Sequence, residues 1–365
     1  MRETLADPAP ALDLVKPAVR GQPAYALTPH ASRRKLNQNE SPWDVPVALK
    51  REILDRAAGL PWNRYPEFVP AELLEQLAGA HGWSADGVLV GNGSNELIQA
   101  TLATTLDGGD RVVAPSPTFS LYRLLTNVFG GRYVPVALGA DFRYDVEAII
   151  QVATRERARV VVLNSPNNPT GSALPPEGVE RVLEATDALV LCDEAYQDFG
   201  GPSAIGILPS APRVVVLRTF SKAFGMAALR FGYALAHPAL AREIAKGKLP
   251  YNVNAITLAA AAVLAARPDV RAERIRALVA TRERTLARLR RLDGIVVYPS
   301  AANFVLVRCV ARPAREVFRR LLEEHGILVR DVSGASELQE CLRISIGTEE
   351  DMDAVLGALE AILRG

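Results

Sequence analysis

Cysteine is scarce in this chain: three residues, Cys192, Cys309 and Cys341, among 365. An odd, scattered set gives no disulfide framework and fits reduced thiols in a cytosolic compartment. Two of the three sit in apolar runs and read as packing residues. The four histidines, His30, His81, His237 and His325, show no metal-ligand spacing to one another or to cysteine, so no metal site is expected. Charge of one sign is lacking too. The formal net charge is +1, which gives no footing for nucleic acid or an anionic membrane. Long hydrophobic runs are absent: the longest, residues 255–266, is alanine-rich, too short to cross a bilayer, and reads as a buried helix. Residues 1–10 carry acids and prolines around no apolar centre, unlike a secretory signal. There is no internal repeat and no low-complexity segment.

What is present is apolar mass, 49% of the residues, enough for two domains and a sizeable core. Residues 1–36 are proline-rich and read as an irregular arm. Thereafter helical and extended patterns alternate. Helical spacing predicts helices at 72–80, 95–106, 119–129 and 175–186, and strands fall at 88–90 and 112–114. Residues 160–163, 189–192 and 214–217 are continuous apolar runs, as strands buried on both faces require. This alternation predicts an α/β fold with a mostly parallel sheet. Beyond residue 269 comes a long arginine-rich amphipathic helix to 292. Strands follow at 296–307, 327–332 and 342–346, with helices at 315–324 and 349–363. The chain is thus expected to divide into an arm within 1–40 that belongs partly to a small domain, a large domain over 41–270, and a small α+β domain over 271–365.

The chemistry-bearing residues fall just after the apolar runs, where doubly wound sheets hold their ligands. Ser221-Lys222 follows the run at 214–217, with Thr219 and Arg230 close by in sequence. A lysine amine there can hold an aldehyde cofactor as a Schiff base, and the hydroxyls and guanidinium suit a phosphate. Asp193 emerges at the end of the run 189–192, with Tyr196 three residues on. Its carboxylate either pairs with a protonated ring nitrogen or makes an ordinary salt bridge or cap. Asn168 lies in Asn167-Asn168-Pro169-Thr170-Gly171, a turn fixed by proline and glycine. Gly91-Asn92-Gly93-Ser94-Asn95-Glu96 opens a helix, which Ser94 or Asn95 can cap. Its first N–H groups suit a phosphate, although taken alone the segment reads first as a plain helix cap with a glycine turn. The stretch lacks the third glycine of a dinucleotide fingerprint. Arg330 and Arg343 are embedded in apolar strands, where each needs either an ion pair, with Asp331 or Glu340, or an anionic substrate.

Together these segments resemble the fold-type I pyridoxal-phosphate aminotransferases and, within them, the histidinol-phosphate aminotransferases. Further markers are Asn37-Gln38-Asn39-Glu40, Asn63-Arg64-Tyr65-Pro66-Glu67, Pro250-Tyr251-Asn252-Val253-Asn254 and Arg343-Ile344-Ser345-Ile346-Gly347-Thr348. The resemblance covers nearly the whole chain. It implies a large domain whose mostly parallel mixed sheet is sandwiched by helices, plus a smaller α+β domain. It implies that Lys222 holds pyridoxal 5'-phosphate and moves the proton, that Asp193 binds the pyridinium nitrogen, and that Asn168 and Tyr196 bond the ring hydroxyl. Phe119 would stack on the ring, while Ser94, Asn95, Thr219, Ser221 and Arg230 would bind the cofactor phosphate. Tyr65 would reach that phosphate from a second subunit, making a homodimer with shared sites. His30, Asn39, Tyr251, Arg330 and Arg343 would line the substrate pocket. Two departures from the family stand out: Phe119 and His30 occupy positions where tyrosine is common.

The implied reaction passes an amino group from histidinol phosphate to 2-oxoglutarate, in the cytoplasm, with no nucleic-acid or membrane partner. An aromatic amino acid aminotransferase and a decarboxylase of a phosphorylated amino acid are the alternatives within the same framework. A non-catalytic regulator sensing the cofactor would carry an added DNA-binding segment, and none is visible.

Overall fold

The computed structural model describes residues 9–23 and 28–364. The start of the expected arm, residues 1–8, and residues 24–27 lie outside the described residues, as does most of the segment weighed as a signal.

Seven strands form the main sheet: β2 (Val88–Gly91), β3 (Arg111–Ser116), β4 (Arg132–Ala137), β5 (Val160–Asn164), β6 (Leu189–Asp193), β7 (Val214–Thr219) and β8 (Gly232–Ala236). Their spatial order is β2-β8-β7-β6-β5-β3-β4. The pairings from β4 through β7 are parallel, and β8 runs antiparallel to both β7 and β2. The sheet is therefore mixed and mostly parallel.

The apolar runs dictate this arrangement. Successive side chains of a strand point to opposite faces. Val161, Leu163, Val190, Cys192, Val214 and Val216 accordingly enter one core, with the helices Val47–Ala58, Ala71–Gly79, Val146–Glu156 and Pro176–Ala185. Their neighbours Val160, Val162, Leu191, Val215 and Leu217 enter a second core under the helices Ser94–Thr105, Leu121–Val128 and Pro238–Ala245. Residues 255–266 form the expected buried helix, Ala255–Ala265, packed in the first core.

A second, antiparallel sheet is built from β9 (Ile295–Val297), β10 (Phe304–Cys309), β12 (Arg330–Asp331) and β13 (Cys341–Ser345), in the order β12-β13-β10-β9. A parallel pair joins β1 (Arg34–Lys35) to β11 (Ile327–Leu328). Two expectations are corrected here. The segment 296–307 is two antiparallel strands rather than one, because residues 298–303 turn the chain back. The segment 327–332 is split as well. β11 pairs with the N-terminal β1, and past buried Val329 the chain changes partner, so β12 pairs with β13.

All four central parallel strands deliver their C-terminal ends to one edge. Ser116, Asn164, Asp193 and Thr219 end β3, β5, β6 and β7 there. The second sheet and residues 37–39 close over that edge.

Candidate active site

The space between the strand ends and the second sheet is a cleft of about 1010 Å³. Asp193 lies on its floor, 3% exposed. Its Oδ2 accepts a hydrogen bond from the Tyr122 hydroxyl at 2.7 Å, and its Oδ1 accepts from the Ala195 N–H at 3.1 Å. Burial pushes its carboxyl pKa up, while these two donors pull it back. A carboxylate so placed is stabilised further by a cation in the cleft, such as a protonated ring nitrogen. Tyr122 is itself buried, and its hydroxyl pKa is raised by burial and then by the Asp193 charge, so it stays a donor.

Lys222 follows β7 on the cleft wall and donates from Nζ to the Gln38 carbonyl at 2.9 Å. Its Nζ stands 5.6 Å from the centroid of the Tyr196 ring. Burial above all, and then the Arg343 guanidinium, push its pKa down to about 7, with Glu40 opposing. Near neutral pH a substantial fraction of this amine is unprotonated and nucleophilic. The Tyr196 hydroxyl accepts from Asn39 Nδ2 at 3.1 Å. Asn168, whose N–H is held by Asn164 Oδ1 at 2.9 Å, faces the same cleft, as does the Phe119 ring.

A cationic cradle lies beside Lys222. Arg230 takes a left-handed backbone, φ 57°, and donates from Nη1 to Ser221 Oγ at 3.1 Å. Two glycines permit its approach to the start of the helix Ser94–Thr105. A Cβ on Gly93 would lie 2.5 Å from Arg230 Nη2, and one on Gly232 would lie 2.4 Å from the Ser94 nitrogen. The helix begins at Ser94 with Gly93 as its N-cap and no side-chain cap bond, so the expected cap from Ser94 or Asn95 does not form. The left-handed φ of Gly93, 78°, turns the chain into the helix instead, and Ser94 and Asn95 face the cleft. First-turn N–H groups, two hydroxyls (Thr219, Ser221) and a guanidinium fit a phosphate dianion. With Lys222, Asp193 and Phe119 alongside, the site fits a phosphorylated aromatic aldehyde, the chemistry of pyridoxal phosphate.

The opposite wall carries the arginines. Arg330 and Arg343 are direct register partners across β12 and β13. Arg343 donates to Asn168 Oδ1 at 2.5 Å and to the Asn37 carbonyl at 2.7 Å. Arg330 is half-buried in a two-residue edge strand rather than embedded in an apolar one, and its side chain makes no hydrogen bond or ion pair among the described residues. The carboxylates weighed as its partners are engaged locally. Asp331 accepts from the Ser333 N–H, and Glu340 accepts from the Ala314 N–H at the start of the helix Ala314–Glu323. Asn39, 1% exposed, is fixed by Ser345 Oγ and Asn303 between the two walls.

Three expected residues are not brought to the cleft of their own chain. Tyr65, 80% exposed, stacks on Tyr251 with ring centroids 4.4 Å apart. Tyr251 also meets Phe68 edge-on, at 5.4 Å. His30 lies on the surface against the edge of Phe318. Conversely, the sequence reading missed Tyr122, Asn164 and Glu337, all of which line the cleft. Asn164 offered the signal that revealed Asp193, a polar residue ending an apolar strand. Tyr122 and Glu337 come from a helix and a loop with no such marker.

Residues 34–359 match the family model described as aminotransferase class I and II. The chain is 37% identical over 350 residues to a histidinol-phosphate aminotransferase of Chlorobaculum parvum, covering 95% of this chain and 98% of the relative. It is 39% identical over 329 residues to the protein of that name from Chlorobaculum tepidum, covering 90% and 94%. Among solved structures it is similar to histidinol-phosphate aminotransferase from Sinorhizobium meliloti in complex with pyridoxal-5'-phosphate. That likeness has a TM-score of 0.87 at 28% identity, over 96% of this chain and 98% of the other. The cleft, its cradle and these likenesses together show that the chain belongs to the class I and II aminotransferases, within the histidinol-phosphate aminotransferase family.

Proposed function

We propose that this chain transfers the amino group of histidinol phosphate to 2-oxoglutarate, giving imidazole acetol phosphate and glutamate, a step of histidine biosynthesis. The observation that carries this reading is the Arg330–Arg343 register pair. Like charges directly opposite across two strands destabilise a sheet. Their juxtaposition on the wall of the cleft is relieved by an anion, and a paired guanidinium site accepts either a phosphate ester or the distal carboxylate of 2-oxoglutarate. One pocket then serves both partners in turn.

The residues divide the work as follows. Ser94, Asn95, Thr219, Ser221 and Arg230 hold the phosphate of pyridoxal phosphate, Phe119 covers its ring, and Asn168 and Tyr196 bond its hydroxyl. Bound there, the cofactor supplies an aldehyde carbon to receive the amino group and a ring to accommodate the electron pair left at the donor's Cα. Asp193, aimed by Tyr122, keeps the ring nitrogen protonated. Lys222, poised by its lowered pKa, takes the Cα proton of the donor and returns one to the acceptor. Asn39 closes the pocket beside Tyr196.

Two further elements belong to this reading. The chain divides into an arm within residues 1–40, a large cofactor-binding domain over 41–270 and a small domain over 271–365. The active form is a cytoplasmic homodimer in which Tyr65, with Tyr251 beside it, enters the cleft of the second copy. Supporting it are the exposure of Trp62, Tyr65 and Phe68, at 70, 80 and 68%, and the presence of all three cysteines as free thiols. Among the described residues no helix is long and apolar enough to cross a membrane.

Steady-state kinetics of Arg330→Ala test the substrate. Losing one charge-assisted contact costs about 1.5–3 kcal/mol, so kcat/KM for histidinol phosphate should fall roughly ten- to a hundredfold. The value for phenylalanine should change far less. A wild type that prefers phenylalanine or tyrosine to histidinol phosphate would favour the aromatic aminotransferase reading instead.

A further inference from the structure

The connection between β12 and β13 adds an acidic group to a cleft otherwise rich in cations. Lys222, Arg230, Arg330, Arg343 and Arg123 all line it. Glu337 sits in this connection, within the short helical turn Ser336–Leu338, six residues before Arg343, and lines the same cleft. The turn is built rather than loose. Leu338 is buried in a small core with Phe142, Tyr298, Leu306 and Cys341. Arg308 donates to the carbonyls of Glu337 and Gln339, at 3.3 and 2.5 Å, and to the Tyr298 hydroxyl at 3.0 Å.

The exposed carboxylate is held by one hydroxyl across the cleft edge and one from its own turn. Glu337 Oε1 accepts from Ser116 Oγ, at the end of β3, at 2.7 Å. Its Oε2 accepts from Ser336 Oγ at 2.8 Å. These two donors hold its pKa below the ordinary carboxylate value, so it is anionic at neutral pH. Each oxygen retains a lone pair for a further donor. The Ser116 contact ties Glu337 to the loop that leads to Phe119. Asn167 Nδ2 donates to the Pro117 carbonyl and its Oδ1 accepts from the Thr118 hydroxyl, which ties that loop to the Asn168 turn. The chain of contacts continues through Asn168 to Arg343. Glu337 therefore lines the same cleft as the arginine pair and is tied to Arg343 through this chain of contacts.

We propose that Glu337 is a specificity-determining residue that accepts a hydrogen bond from the ring N–H of an imidazole-bearing amino donor while the arginine pair holds the donor's anionic end. This rests on the substrate reading above and deepens it. A donor with an anion at one end and an N–H heteroaromatic ring at the other matches a cleft lined both by paired guanidinium groups and by a hydrogen-bonded carboxylate. A phenyl ring offers Glu337 no donor and must desolvate the carboxylate without return, so the same residue selects against it.

The test compares histidinol phosphate with the phosphate ester of phenylalaninol, which differs only in the ring, as donors for the holoenzyme. Glu337→Gln should lower kcat/KM for histidinol phosphate about tenfold or more and change the phenyl ester less than twofold, with the cofactor absorbance unaltered. Ser116→Ala, which removes one of the aiming hydroxyls, should shift the ratio in the same direction by a smaller factor. Equal losses on both esters, or none, overturn the inference while leaving the reaction itself intact. If wild type takes neither ester, the substrate reading has failed separately. The contrast is then read on histidine and phenylalanine, where Glu337→Gln must still erase a preference for imidazole. A wild type with no such preference overturns the inference in either case.

Discussion

At the scale of single residues, legibility followed position. Asp193, Lys222, Asn168 and Thr219 sit at or just beyond the ends of apolar strands, and Arg343 in the middle of one, where a polar residue has no packing reason to stand. Tyr122 was invisible because a buried hydroxyl on an amphipathic helix looks like core until its partner, Asp193, is seen 2.7 Å away. The environment of Lys222 has an effect that sequence could not supply. Its amine, ordinarily near 10.5, titrates at about 7 in the fold. Between those values the unfolded chain binds a proton that the folded chain does not, so this group makes the cofactor-free protein more stable as pH rises through the window. Below about 7 both states are charged, and the fold carries the full cost of burying the cation. Lys222→Met is neutral at every pH and removes that cost. The cofactor-free variant should melt above its parent at about pH 6, and the gap should close toward about pH 10. Thermal melts across that range check the sign. A variant that melts lower at the acid end would mean that the hydrogen bond to Gln38 outweighs the desolvation.

At the scale of elements, β5, β6 and β7 were readable because both faces are buried and the apolar run extends up to the last residue in β5 and β6 and up to Arg218 in β7. β4 and β8 were not. β4 is an edge strand, mostly solvent-facing and carrying Pro135, so no hydrophobic pattern marks it. β8, Gly-Tyr-Ala-Leu-Ala, opens on a glycine because the helix Ser94–Thr105 starts directly against Gly232, and its glycine and alanines blur the hydrophobic pattern. The two-residue strands β1, β11 and β12 exist only through pairings that no local window contains. The close approach at β8 gives a test. Gly232→Ala places a methyl group 2.4 Å from the Ser94 nitrogen and 3.0 Å from the Arg218 carbonyl, both backbone atoms that cannot swing aside. The helix start must retreat from Thr219, Ser221 and Arg230. The variant should lose about 1–3 kcal/mol of stability and bind pyridoxal phosphate at least tenfold more weakly. Denaturant melts and a cofactor titration read the two losses. Unchanged cofactor affinity would show that the helix start takes no part in holding the phosphate.

At the scale of the whole molecule, the aromatic cluster of Tyr65, Phe68 and Tyr251 stands on the surface with Trp62 and Leu249 also exposed. Apolar surface of this kind is where a soluble protein meets a partner, and the proposed partner is a second copy. Mixing inactive Tyr65→Ala with inactive Lys222→Ala should restore part of the activity through hybrid dimers, each holding one site with both intact residues. Sedimentation of the mixture, with activity measured alongside, checks it. A fully active monomer would rule the shared site out. The site also has a division that no distance reveals. Arg230 meets Ser221 across nine positions of sequence, whereas Arg343 meets Asn37, and Asn39 meets Ser345, across 306. Closing a short loop costs little chain entropy, and a long one costs more and depends on everything between. The part of the cradle formed by Thr219, Ser221 and Arg230 is thus closed locally, between the register partners Thr219 and Gly232. The arginine wall is closed by residues 37–39 against 343–345, so partial unfolding of either segment opens that wall and, with it, the contacts of Gln38 with Lys222 and of Asn39 with Tyr196.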